Sequence, residues 1–223
     1  MRNSVLGIKN SLKKGIETVI KANDPRIFRL KALEIYRSTL FPHEGGHETC
    51  RGGVNPEYIK DTALPKADML ILAYDVHDGN IRGMLRGFGI VQFYSEWMYL
   101  DVICRGNMNR TMKYRGTPVA APGKAIIDEV LRYARVANLK GVMLSALQPV
   151  VKFYEHLGFK ITARDFEQGN DPCIKRRRGP NRQASRTAKA PHSLYKGNVN
   201  LADKKKMIKM IQNTNGLIMS RCL

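Results

Sequence analysis

The sequence predicts a mixed α/β fold, a mostly antiparallel sheet with helices on both faces, and two observations carry that prediction. Three apolar runs, MLILAYDV, IRGMLRGFGIVQFYS and WMYLDVICRG, follow one another from Met69 with a short turn or almost no connection, as in an antiparallel meander. After Pro122 the order becomes helix, strand, helix, in PGKAIIDEVLRYARVANLKG, VMLSAL and QPVVKFYEHLGF.

Taken from the start, Val5, Leu6, Ile8, Leu12, Ile16, Val19 and Ile20 recur at three- and four-residue spacing. That spacing predicts an amphipathic helix packed on the domain, with Lys9, Lys13, Lys14 and Lys21 on its other side. Asp24 and Pro25 are a cap and first-turn pair for a second helix, whose apolar positions run from Ile27 to Leu40 before Pro42 stops it. His43-Glu44-Gly45-Gly46-His47 matches the H-E-x-x-H zinc pattern. That pattern needs a helix, and two adjacent glycines disfavour one by about 2 kcal/mol relative to alanine. A loop at the rim of a binding site is the reading, and no metal is expected.

In the meander, Asp78-Gly79 and Asn80 supply a hairpin turn, while Gly83, Gly87 and Gly89 mark bulges or close approach of another backbone. Pro122 and Gly123 open a helix that buries Ile126, Ile127, Val130, Leu131, Ala134 and Ala137. Pro149 starts the last core helix, Gly158 stands where a left-handed terminus is wanted, and Phe159 returns to the core. KITARDF reads as one more strand.

Charge and composition divide the 223-residue chain. Residues 171–223 hold 13 Lys and Arg against two Asp, and residues 61–170 hold 14 basic against 11 acidic groups. The net charge of +19 is therefore concentrated at the C-terminal end. Three regions follow: 1–60, N-terminal helices and a loop; 61–170, the core; 171–223, a basic and partly disordered extension. The run RRRGPNRQASRTAKAPHS has too few apolar groups for a core, and residues 175–190 suit non-specific contact with nucleic acid. Leu201, Met207, Ile208, Met210 and Ile211 fit a short helix beyond it. No apolar run approaches the roughly 20 residues of a membrane span. Cys50, Cys104, Cys173 and Cys222 form no C-x-x-C pair, so four reduced thiols in an intracellular protein, cytoplasmic or nuclear, are expected.

Three motifs in order resemble the GNAT superfamily of acyl-coenzyme A dependent N-acyltransferases over about residues 69–166. Phe153-Tyr154-Glu155-His156-Leu157-Gly158-Phe159 is similar to its F-Y-x-x-x-G-F signature. Gly123-Lys124-Ala125-Ile126-Ile127 resembles the start of its cofactor helix, and Leu100 to Gly106 its fourth strand. The resemblance implies a GNAT-like sheet with a splayed central strand pair and acetyl-coenzyme A as acyl donor. Pantetheine would add to the strand edge of Val102, Ile103 and Cys104, and the pyrophosphate would sit at the helix start formed by Gly123, Lys124 and Ala125. The family's Q/R-x-x-G-x-G/A loop is degenerate here, with Pro118, Ala121 and Gly123 at its positions. Tyr114-Arg115-Gly116 offers a second register, in which Arg115 and Gly116 help bind the cofactor.

The implied reaction is acetyl transfer to a primary amine of an unidentified acceptor. Tyr154 is the acid for the departing thiolate in that resemblance. Alternation along a strand puts Glu96 on the face of Val102 and makes it the favoured base, with Asp101 the second choice. The competing expectation is a catalytically inactive GNAT-like fold that binds nucleic acid or serves a structural role through its basic tail.

Overall fold

A computed structural model describes residues 15–38, 55–77, 80–94, 96–105, 122–168, 171–173, 209 and 216–223, with backbone alone at 75–77, 80–84, 105 and 167. Among these, residues up to Phe93 with Met98–Arg132 form one compact unit, and Tyr94–Trp97 with Tyr133–Leu223 form a second. The described elements make up a mixed α/β structure with seven strands, the fold class expected from the sequence.

In the first unit β1 (Ile16–Ile20), β2 (Met69–His77), β3 (Asn80–Tyr94) and β4 (Trp97–Arg105) are neighbours in chain order. β1 corrects the expected N-terminal helix, because Ile16 pairs antiparallel with Ala73 and Ile20 with Met69. Its β-branched content suits a strand, and Gly15 at φ 73° sets it off from what precedes. The residues Val5 to Leu12 of that expected helix lie outside the described ones. The β2–β3 hairpin closes with His77 opposite Asn80, and the register shifts around Tyr74.

Helix α1 (Pro25–Arg37) starts as expected: the Asp24 carboxylate accepts from the backbone of Arg26 at 3.1 Å and Ile27 at 2.9 Å. It buries Phe28 and Ile35, whereas Ile27, Leu30, Leu33 and Tyr36 are exposed. A short α-helical turn, α2 (Pro56–Tyr58), widens into a π-helix, Ile59–Ala63, and closes as α3 (Leu64–Lys66). Pro65 explains the widening, since its ring would meet the carbonyl four residues back in a regular α-helix. Ile59 and Ala63 then join Phe28, Ile35, Leu70, Leu72, Phe88, Ile90, Val102 and Cys104 in one core cluster. A fully buried side chain of this size contributes about 2 kcal/mol.

Helix α4 (Pro122–Val136) buries the predicted face, including Ile126, Ile127, Val130 and Leu131. It approaches β3 where that strand has no side chains. A Cβ on Gly87 would stand 2.8 Å from the Cys104 carbonyl oxygen and 3.2 Å from Pro122 Cβ. One on Gly89 would stand 2.7 Å from Ile126 Cγ2. These glycines are therefore sites of close approach, one of the two readings the sequence allowed.

In the second unit β5 (Gly141–Ala146) leads through a 3-10 turn, Gln148–Val150, into α5 (Val151–His156). Gly158 has φ 82°, the left-handed terminus expected there, and Phe159 is buried. KITARDF is corrected: only Lys160–Ile161 is a strand, β6, and Ala163–Glu167 is a helix, α6. The chain leaves the sheet at Thr162, whose carbonyl accepts from the backbones of Asp165 and Phe166. Phe166 then stacks edge-on against Trp97, ring centroids 5.2 Å apart.

The end of the supposed basic extension is corrected as well. Leu217–Cys222 is a strand, β7, lying between β5 and β6 and antiparallel to both, with Leu144 opposite Met219 and Lys160 opposite Ser220. Ile218, Met219 and Ser220 are buried, and Thr162 donates its hydroxyl to Ser220 at 3.0 Å. Residues 174–208, with the proposed nucleic-acid segment, and Met210 and Ile211 lie outside the described residues.

The expectation of four free thiols is also overturned. Cys173 and Cys222 form a disulfide, and Cys104 is disulfide-bonded too. The cause is tertiary: β7 sets Cys222 opposite Gly141, Leu223 N–H donates to the Lys140 carbonyl, and Cys173 Sγ lies 3.7 Å from that same carbonyl oxygen. Cys50 lies outside the described residues. Among them, no helix is long and apolar enough to cross a membrane.

Candidate functional site

The chemistry-bearing residues fall in both units. In the first, β4 carries Asp101, Val102, Ile103 and Cys104. Val102 and Cys104 are buried in the core cluster. Gly87 is the point where the end of this strand and the start of α4 meet, since the space of its missing side chain touches Cys104, Pro122 and Ile126 together. Gly123, Lys124 and Ala125 form the first turn of α4, whose leading N–H groups have no partner within the helix. Lys124 is half-exposed and paired with Asp128 one turn on. The residues of this turn fit an anionic pyrophosphate through backbone donors and the helix dipole. Arg115, Gly116, Pro118 and Ala121 lie outside the described residues.

Asp101 of this unit is held by two side chains. Its Oδ1 accepts from the Tyr58 hydroxyl at 2.7 Å, and its Oδ2 accepts from Gln92 Nε2 at 2.7 Å. Burial pushes its carboxyl above the ordinary value, and the hydrogen bonds from Tyr58 and Gln92 and the charge of Lys66 oppose that only in part. The carboxyl is thus displaced in the direction that suits a proton acceptor near neutrality.

Glu96 is placed differently from the expectation. It belongs to the second unit and sits in the turn before β4, so strand alternation does not carry to it. Its carboxylate is half-exposed and bonds Lys140 Nζ at 2.5 Å; the same ammonium bonds Asp171 at 2.9 Å. The hydrogen bonds that Lys140 donates to Glu96 and Asp171 raise its pKa and hold it charged. Glu96 is an ion-pair partner at a turn.

Tyr154, also in the second unit, is buried in α5 with its ring edge-on to Phe153 and Phe159, centroids 5.2 and 5.9 Å away. Burial pushes its phenol up to about 12. The group stays protonated at neutral pH and so keeps a hydroxyl hydrogen to donate.

Sequence reading missed Tyr58 and Gln92. Gln92 had a signal, a lone amide inside the apolar run GIVQFY. Tyr58 had none, being 43 residues from the carboxylate it bonds. Among the described residues no group of three or more His, Cys, Asp or Glu is arranged to hold a metal, and His43 to His47 lie outside them.

Neither a protein-family model nor a curated protein sequence matches this chain significantly. Among solved structures it is similar to Tetrahymena GCN5, with 12% identity over 92% of this chain and 95% of that one, TM-score 0.46. It is similar to nourseothricin acetyltransferase at 20% identity, over 44% of this chain and 52% of that one, TM-score 0.32. It is also similar to N-acetylglutamate synthase from Neisseria gonorrhoeae, solved with coenzyme A and N-acetyl-glutamate. That match has 12% identity over 93% of this chain and 35% of that one, TM-score 0.41. The matches thus span about half of the nourseothricin enzyme (52%) and about a third of the synthase (35%).

Proposed function

We propose that this chain is a GNAT-type N-acetyltransferase that moves the acetyl group of acetyl-coenzyme A to a primary amine. The observation that carries the reading is the convergence at Gly87 of the β4 backbone around Cys104 and the first turn of α4. In this reading the end of β4, whose backbone would meet the amides of pantetheine, lies in the same compact unit as a helix start suited to its pyrophosphate.

In this reading the amine nitrogen attacks the thioester carbonyl carbon, the carbon–sulfur bond breaks, and the acetyl group stays on nitrogen. Asp101, rather than the ion-paired Glu96, receives the proton whose loss frees the amine lone pair, and the second N–H proton, shed as the amide forms, ends on the departing sulfur. Tyr154 donates its phenolic hydrogen to the departing sulfur. With its phenol up at about 12 it is a weak acid, so its contribution is a hydrogen bond to the developing thiolate.

A direct test is thiol release from acetyl-coenzyme A with a panel of alkyl amines, polyamines and lysine peptides, alongside thermal melting with the cofactor alone. Acetylated product from at least one amine and a raised melting temperature are expected. No melting shift at millimolar acetyl-coenzyme A would sink the enzyme reading.

The second reading, a nucleic-acid-binding protein, is favoured by the surplus of basic residues in 171–223. Because Leu217–Cys222 is a sheet strand, deleting the whole C-terminal part would damage the core. Replacing the Lys and Arg of residues 175–190 with Ser or Gln is the appropriate test. Salt-sensitive retention on nucleic acid should be lost; retention unchanged by the replacement would refute this role.

A further inference from the structure

Asp101 is reached from two other elements of its unit. Tyr58 comes from the helical turn just before the π-helix, and Gln92 from β3; each gives one neutral donor to a different carboxylate oxygen, at 2.7 Å in both cases. Two bonds to two oxygens fix the plane of the carboxylate, and each oxygen keeps a lone pair. Lys66 acts on Asp101 through space, and among the described residues no cation bonds it. A bonded Arg or Lys would have cancelled the carboxylate's charge. Two neutral donors stabilise that charge and leave it available to a cation that arrives from outside.

We propose that Tyr58 and Gln92 are positioning residues: they hold the Asp101 carboxylate in one plane and in its charged form, with its remaining lone pairs open to the ammonium group of the acceptor. This rests on the acetyl-transfer reading. It sharpens the acceptor class to amines that arrive protonated, against neutral amines such as anilines.

The test is a carbon-13 NMR titration of Asp101 in the full chain, in wild type, Tyr58→Phe and Gln92→Leu. Removing a hydrogen bond to a charged group should move the Asp101 midpoint upward by about one pH unit in each variant. The acidic limb of kcat/KM, for an amine that the wild type acetylates, should move upward with it, because the carboxylate is then protonated at higher pH. n-Butylammonium chloride should perturb the Asp101 carboxyl resonance in the wild type, where n-butanol does not. A midpoint unmoved in both variants overturns the proposal, as does a moved midpoint with an unmoved acidic limb, or an equal response to the alcohol. Absence of any acetyl transfer would count against the enzyme reading, while the midpoints and the butylammonium response still decide whether Asp101 is held as described.

Discussion

Ile126 Cγ2 occupies the space that a side chain on Gly89 would need: a Cβ there would stand 2.7 Å away. Ile126 is itself fully buried, and its branch at Cβ restricts the rotamers open to it. Gly89→Ala should therefore destabilise the protein by about 1–3 kcal/mol. In a chain of this size that corresponds to roughly 2–4 °C of melting temperature per kcal/mol. Ile126→Ala makes room, so the double variant should lose less than the sum of the two single losses. Additive losses in denaturant unfolding would show that the two residues do not share this space.

The two carboxylates separate cleanly by substitution. Asp101→Asn removes the proposed proton acceptor and should lower kcat/KM by about a hundredfold. Glu96→Gln breaks a half-exposed ion pair and should leave kcat/KM within about twofold. The reverse ranking, read from initial rates of thiol release, would return Glu96 to the role of base.

Tyr154→Phe keeps the ring among Phe153 and Phe159 and removes only the hydroxyl. Turnover should fall by about a hundredfold, while the dissociation constant for acetyl-coenzyme A, measured by calorimetry, changes little. Unchanged turnover would assign the residue to the core alone.

The Cys173–Cys222 disulfide closes a loop across a sequence separation of 49 residues. Chain-entropy arguments place the effect of such a closure at about 4 kcal/mol. Cys173→Ser, or a dithiol reductant, should lower the midpoint of denaturant unfolding. Titration of free thiols in protein taken directly from cells, with alkylation at lysis, should find this pair oxidised. A reduced pair there would fit the intracellular expectation instead, since disulfides persist mainly in oxidising compartments.

Much of the fold was legible because local chemistry and tertiary role agree. The β2–β3 hairpin, β4, the buried face of α4 and the left-handed Gly158 each carry their own signal in spacing, turn residues or glycine. β1 was misread because Ile16, Val19 and Ile20 fit a helical period as well as a half-buried strand, and only pairing with β2 separates the two. Glu96 was misplaced by counting alternation from a residue that stands just outside the strand.

By itself the sequence determined the strands of the meander, the helix at Pro122, the Phe153 to Phe159 signature and the glycine lane of β3, because each is written in residues close together along the chain. The tertiary structure alone decided that Leu217–Cys222 enters the sheet between β5 and β6, that Cys173 meets Cys222, and that Tyr58 and Gln92 hold Asp101. Apart from Gln92 and Asp101, 9 positions apart, those relationships join residues 43 or more positions apart by hydrogen bonds and covalent geometry that no local pattern encodes.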